Sequence, residues 1–211
     1  MFDVALQGEA TDRSALVDAL NAEGAVGSLR RPFEIGQVGR AGTGSVVGRV
    51  VEASDAVGVL LSAVRSRRWA GALVVAAETG PDASSSAGGP QRMRDAARAV
   101  ERAAHRSGRT AVVLGADLEG RAAADPHLAA DLRMVEAALD LVAVLEARRS
   151  VPQQAAGRLV DAGLSQREAA AELGVSQQAV HSRLRHGFWN ETRLVLDGLL
   201  PVLERLGRTG E

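Results

Sequence analysis

The 211-residue sequence contains no cysteine. This absence excludes disulfide bonds, thiolate zinc sites, iron–sulfur clusters and a cysteine nucleophile. It also gives no sign of an oxidising compartment. Any metal site would have to be built from histidine and carboxylates, and the four histidines show no metal-ligand spacing. The sequence therefore predicts no metal site and no cofactor.

Lysine is also absent, since all 25 basic residues are arginine, and aromatic residues make up only 2% of the chain. Without lysine, the glycine-rich stretch 39–44 (GRAGTG) lacks the phosphate clamp of a P-loop, and it does not match GxGxxG entering a helix. We interpret this stretch as a hairpin connection. The scarcity of aromatic residues leaves Ala, Val and Leu to build the core.

Long apolar runs are missing as well. No stretch approaches the 18 consecutive apolar residues that a membrane-spanning helix requires. The first 13 residues, MFDVALQGEATDR, lack the basic region and the apolar region of a signal peptide. The sequence thus predicts a soluble, cytoplasmic protein with no membrane partner.

The net charge is −1, so the chain carries no excess of positive charge for coating nucleic acid. Residues 1–150 hold 18 arginines against 19 acids, and the remainder holds seven of each. Contact with nucleic acid would therefore depend on a local patch.

Strand and helix signals alternate through residues 1–120, which predicts an α/β sandwich with one sheet. In chain order the predicted elements are a strand at 2–6, a helix at 14–22, strands at 33–38 and 46–51, a helix at 54–64, a strand at 72–77, a helix at 91–106 and a strand at 111–114. Residues 79–90 form a low-complexity loop. From residue 125 the strand signals stop, so we predict an α+β protein whose second domain, 126–207, is all helical. The boundary is expected within 116–126.

Two amphipathic stripes occupy this helical domain. The first has spacings of 4, 3, 4, 3 and 3 and ends before Pro152; the second follows the pair Phe188–Trp189, which we interpret as a helix-packing anchor rather than as a stack for bases. The stripes are Leu128, Leu132, Val135, Leu139, Val142 and Leu145, and then Val195, Leu196, Leu199, Leu200, Leu203 and Leu206. Their area favours a homodimer. The alternative is that both helices fold back onto the sheet of the same chain.

Residues 153–186 form the most specific segment of the chain. A helix ends at Gly163, Ser165 and Glu168 form a capping box for a second helix, and Gly174 turns the chain before Ser176 caps a third. This spacing is that of a helix-turn-helix, and LSQREAAAELGVSQQAVHSRLR resembles the helix-turn-helix of sigma-region-4-like and MarR-like bacterial regulators.

The outward face of the third helix follows from helical periodicity. If Val180 and Leu184 point inward, then Gln178, Ser182 and Arg185 point outward and His181 flanks them. Glutamine suits adenine and arginine suits guanine, while backbone N–H groups and hydroxyls at helix starts hold phosphates. The candidate DNA-binding residues are Ser165, Gln166, Ser176, Gln177, Gln178, His181, Ser182, Arg183 and Arg185.

The order of elements in residues 1–114, with its glycine-rich hairpin, resembles the nucleotide-cyclase-like (ferredoxin-like) fold. That resemblance implies metal-binding carboxylates after the first strand and at the hairpin. The corresponding positions here are Gln7-Gly8-Glu9 and Gly42-Thr43-Gly44, which do not supply a pair of carboxylates. Over most of its length the chain resembles the SatD family of bacterial proteins, with Gly89-Pro90 leading a helix and a C-terminal helix-turn-helix. The acidic hairpin of that family is absent, which implies a degenerate member without metal chemistry.

These observations predict a non-enzymatic, sequence-specific regulator that binds double-stranded DNA and whose α/β domain responds to a small-molecule or protein effector. Two alternatives remain. One is a nucleotide-processing enzyme of the cyclase-like class, and the other is an adaptor whose helix-turn-helix contacts another protein.

Overall fold

The computed structural model describes residues 1–8, 13–22, 24–36, 45–76 and 89–208. The strands are β1 (Phe2–Gln7), β2 (Leu29–Gly36), β3 (Ser45–Val50), β4 (Ala70–Val75) and β5 (Thr110–Leu114). The helices are α1 (Arg13–Asn21), α2 (Ala53–Arg65), α3 (Gly89–Ala104), α4 (Ala116–Ala124), α5 (Pro126–Arg148), α6 (Val151–Asp161), α7 (Gln166–Glu172), α8 (Gln177–His186) and α9 (Trp189–Arg208). The predicted Glu9 and the predicted hairpin at 39–44 lie outside the described residues.

The five strands form one sheet in the order β2-β3-β1-β4-β5. β1 pairs antiparallel with both β3 and β4, and β5 pairs parallel with β4. Because β3 lies between β1 and β2, the first four strands have the split β-α-β arrangement of ferredoxin-like sheets. The prediction of an α+β chain, with a sheet in the first half and helices after it, is confirmed.

One face of the sheet is covered by α3. Its contact surface is made of small side chains, among them Ala5, Ala72 and Ala111 on the strands and Ala96 and Ala103 on the helix. Such small side chains let a helix approach a sheet closely. β1 and β3 also hold a buried ion pair, in which the Arg49 guanidinium donates to both carboxylate oxygens of Asp3 at 2.7 Å.

The opposite face of the sheet carries the main hydrophobic core, to which α2, α5 and α9 all contribute. Leu60 of α2, Val135 and Leu139 of α5 and Leu203 of α9 are fully buried with Leu73 of β4. The two stripes therefore fold back onto the sheet of the same chain. The apolar surface on which the predicted homodimer depends is largely covered within one chain.

Helix α5 also covers the outer edge of β5. The Glu136 carboxylate accepts from the Val112 N–H at 3.3 Å, and the Asp140 carboxylate accepts from the Thr110 hydroxyl at 3.1 Å and from the Gly108 N–H at 3.0 Å. An open strand edge invites pairing with another chain. Here the carboxylates of α5 accept hydrogen bonds from donors on that edge. Helix α5 therefore belongs with the sheet and the helices that cover it, which together we call the sheet unit.

The segment 116–126, in which the domain boundary is predicted, contains α4. Leu118 of this helix is buried in the main core. Asp125 then caps α5 by accepting from the N–H groups of His127 and Leu128, and Pro126 occupies the first turn, where a missing N–H costs nothing.

Candidate nucleic-acid interface

Three short helices, α6, α7 and α8, follow α5, and each turn between them contains a left-handed glycine. Gly163 has φ +92° and Gly174 has φ +62°. At each turn, the residue after the glycine donates its N–H to a carbonyl five residues earlier, Leu164 to Leu159 at 3.1 Å and Val175 to Ala170 at 3.0 Å. These bonds close the helix ends as a Schellman motif does. The predicted roles of both glycines are confirmed.

The three helices share a small core of their own. It consists of Ala156, Ala169, Ala170, Val180, Leu184 and Trp189, all buried. Alanines at the contact let the helix backbones approach closely, while Val180 and Leu184 fix one face of α8 against the other two helices. The predicted inward orientation of Val180 and Leu184 is confirmed.

Trp189 anchors this core to the start of α9, as predicted. Its indole N–H donates to the Asp161 carboxylate at 2.9 Å. The ring lies so close to Gly157 that a Cβ at that position would overlap it. Phe188 differs from the prediction, because its side chain is 49% exposed.

Arg149 connects these helices to the sheet unit, and sequence reasoning did not identify it. Its side chain is only 2% exposed. The guanidinium donates to the carbonyls of Gly187 and Phe188, at 2.7 and 3.2 Å, and to the Thr192 hydroxyl. It also lies 4.2 Å from the centroid of the Trp189 ring. The partners follow Arg149 by 38 to 43 residues, so no local sequence signal could have revealed them.

On the side of α5, the same guanidinium donates to the Glu146 carboxylate at 3.1 Å. Glu146 accepts a further bond from Arg65 of α2 at 2.7 Å. Burial lowers the pKa of the Arg149 guanidinium, and the neighbouring Glu146 carboxylate opposes this shift. The resulting network joins α2, α5, α8 and α9 at one point.

The face of α8 opposite Val180 and Leu184 is polar. Gln178, His181 and Arg185 are exposed on it, and Ser182 is half-buried. The segment 176–190 contains no acid. Within the part of the chain that the structure describes, no hydrogen bond or ion pair occupies the side chains of Gln178, His181 or Arg185. Their donors and acceptors are therefore available to a ligand.

His186 is exposed and lies next to this face. Its Nδ1 atom lies 3.2 Å from the Ser182 hydroxyl and 2.8 Å from the Ser182 carbonyl oxygen. Arg183 is half-buried, and helical spacing places it to the side of the outward face on which Ser182 lies. Of the two arginines, Arg185 is the one on the outward face.

At the start of α8, the Ser176 hydroxyl accepts from the Ala179 N–H at 3.1 Å and caps the helix, with Gln177 exposed beside it. The start of α7 is different. There the Ser165 hydroxyl donates to the Glu168 carboxylate at 2.7 Å and accepts from the Glu168 N–H at 3.2 Å. Gln166 follows and is half-buried.

The capping box also involves the Ser165 N–H, which donates to Glu168 at 2.8 Å. These hydrogen bonds from Ser165 hold the pKa of the Glu168 carboxyl below its ordinary range. The start of α7 thus presents a carboxylate, which opposes a phosphate. Among the predicted DNA-binding residues, Ser165 is the one whose surroundings disfavour that role.

Comparison of the chain with protein-family models, with curated proteins and with solved structures gave no match. The resemblances to the SatD family and to sigma-region-4-like and MarR-like regulators therefore stay predictions. Among the described residues, no helix is long and apolar enough to cross a bilayer. In the same residues, no three or more His, Asp or Glu side chains come together as metal ligands would.

Proposed function

We propose that the chain is a sequence-specific DNA-binding transcriptional regulator in which α6, α7 and α8 form a helix-turn-helix. In this proposal α8 enters the major groove of double-stranded DNA, and the sheet unit responds to an effector. One observation supports it most. The outward face of α8 is free of acids, and its side chains Gln178, His181 and Arg185 have no partner within the described residues.

A helix face that is exposed only to solvent would need neither the absence of acids nor side chains without partners. In a chain with 26 acids and 25 arginines, exposed helix faces ordinarily carry both signs of charge. A face that reads base edges needs uncommitted donors and acceptors, and a carboxylate there would be repelled by the phosphates on either side. The face of α8 meets both requirements.

Each residue has a distinct proposed role. Arg185 donates to guanine and Gln178 pairs with adenine, because these side chains match the donor and acceptor patterns of those bases. His181 and Ser182 contact neighbouring bases or phosphates. Gln166, Ser176, Gln177 and Arg183 belong to the helix starts and flanks, where contacts to phosphates set the position of α8 in the groove. The capping-box residue Ser165 is left out of the proposed contacts.

The test starts from a pool of random duplexes, from which the full-length chain selects its sites. Binding of the selected duplex is then measured by fluorescence anisotropy for the wild type, Gln178→Ala and Arg185→Ala. We expect each substitution to cost about 1–3 kcal/mol at one base pair, with relaxed preference at that position. Arg133→Gln serves as the matched control, since Arg133 is an exposed arginine on α5.

Three outcomes would contradict the proposal. The first is a pool without enrichment, which would favour the adaptor alternative. The second is an unchanged base preference in both variants, which would mean that α8 does not read sequence. An equal loss in Arg133→Gln would show that the effect is one of net charge.

A further inference from the structure

A cavity of about 330 Å³ lies at the amino-terminal ends of the parallel strands β4 and β5. Its wall comes from the ends of α2 and α5 and from the turn before β5. Three of its lining residues are arginines, Arg67, Arg109 and Arg148, and the others are Val64, Ser107, Gly108, Val144 and Ala147. A volume of this size suits a small molecule.

The lining of the cavity contains three cations and no carboxylate. Within the described residues, the side chains of Arg67 and Arg148 have no hydrogen bond or ion pair, and the Ser107 hydroxyl has none either. Arg109 uses its Nε to donate to the Trp69 carbonyl at 3.1 Å, which leaves its terminal nitrogens. The Asp140 carboxylate, behind Gly108, accepts hydrogen bonds from the Gly108 N–H and the Thr110 hydroxyl.

The backbone supplies an independent observation. Arg67 and Arg109 have φ of +59° and +57°, in the left-handed region that favours glycine. Arg67 follows Ser66, the C-cap of α2, at a position where glycine is the usual residue. Two bulky side chains thus occupy strained positions and line the same cavity. Strain of this kind gathers at ligand sites.

We propose that this cavity binds a phosphorylated small molecule, with its phosphate held by Arg67, Arg109 and Arg148 and the hydroxyl of Ser107. Three guanidinium groups without a countercharge suit a multiply charged anion, because arginine matches phosphate oxygens in pairs. Val64, Val144 and Ala147 offer apolar contact to the rest of the ligand. This site lies outside the proposed DNA-reading face and does not depend on it.

A second cavity, of about 350 Å³, lies between α3, β5, α4 and α5 and differs from the first in the charge of its lining. Arg98 and Arg102 line it, but so do Asp95 and Glu119. Its charges cancel, whereas those of the first cavity add.

The test uses isothermal titration calorimetry of the full-length chain with inorganic pyrophosphate, and with sodium chloride at matched ionic strength. We expect saturable binding with one site per chain. The affinity should fall by about tenfold or more in Arg67→Gly and in Arg148→Gln, since each removes charge-assisted hydrogen bonds. Arg133→Gln, on the same helix as Arg148, should bind as the wild type does.

The Arg67→Gly variant should stay folded, so that a loss of binding in it cannot be attributed to unfolding. Glycine adopts a φ of +59° without strain, so its melting temperature should match or exceed that of the wild type. Absence of saturable pyrophosphate binding at millimolar concentration would overturn the proposal, as would equal weakening in Arg133→Gln. If random-sequence duplex displaces pyrophosphate and the two variants bind that duplex more weakly, the arginines serve nucleic acid, and the small-molecule site is refuted.

Discussion

A single substitution at Arg149 should weaken the attachment of α6, α7 and α8, which we call the three-helix unit, to the sheet. Arg149→Met keeps an unbranched apolar stem and removes the charge and the donors of the side chain. Glu146 then retains only Arg65 as a partner within the described residues, while the carbonyls of Gly187 and Phe188 each lose a donor. Removing one partner of a buried ion pair costs about 3–5 kcal/mol, largely because the other partner stays buried without its countercharge.

For a chain of this length, 1 kcal/mol corresponds to about 2–4 °C, so the melting temperature should fall by about 6–20 °C. Hydrogen exchange should show that amides of α6, α7 and α8 lose more protection than those of β1 and β4, because the lost bonds join the two parts. The matched control is Arg148→Met, next to Arg149 but exposed and without an ion pair in the described part of the chain.

The control should change stability by no more than about 0.5 kcal/mol. A loss below about 1 kcal/mol in Arg149→Met would refute the reasoning, and so would an equal loss of protection in the sheet. A double substitution with Glu146→Gln offers a further check. Because it removes the carboxylate that has lost its partner, it should be less destabilising than the sum of the two single changes.

Gly157→Ala should destabilise the three-helix unit by about 1–3 kcal/mol in urea denaturation, because its Cβ would overlap the indole of Trp189. Gly58→Ala, in open space on α2, should instead raise stability by about 0.4–1 kcal/mol, and equal effects at both sites would contradict the packing argument. The carboxyl of Glu168 should titrate below its ordinary range when followed by NMR, and Ser165→Ala should raise that pKa. Because the folded pKa is depressed, the cap stabilises α7 above the unfolded pKa and loses this effect as the pH falls through the folded value; an unshifted carboxyl would exclude the capping box in solution.

Local chemistry accounts for much of what could be predicted. Gly163 and Gly174 were identified from sequence because a left-handed turn excludes most other residues, and that requirement does not depend on the rest of the fold. The cap formed by Ser176 and the inward position of Val180 follow from the geometry of a single helix. The order of strands and helices also follows from local patterns. Helical periodicity alone allowed the outward face of α8 to be predicted residue by residue.

Tertiary structure decided what the apolar stripes of α5 and α9 contact. A stripe of leucine shows that area must be removed from water, but the hydrophobic effect has no direction and does not name the surface that covers it. A partner chain and the sheet of the same chain were both compatible with the spacing. The structure places Leu139 and Leu203 against the sheet, because α5 and α9 run beside α2 over the same core.

Clusters assembled from distant segments were also beyond the sequence. The arginine-lined cavity joins the ends of α2 and α5 with the turn before β5, and the bonds of Arg149 reach residues 38 to 43 positions later. Each arginine taken alone resembles any exposed arginine in a chain that has 25 of them. Capping and turn signals act over a few residues and can be recognised along the chain, whereas a charge acquires its role from neighbours that only the folded chain brings within a few ångströms.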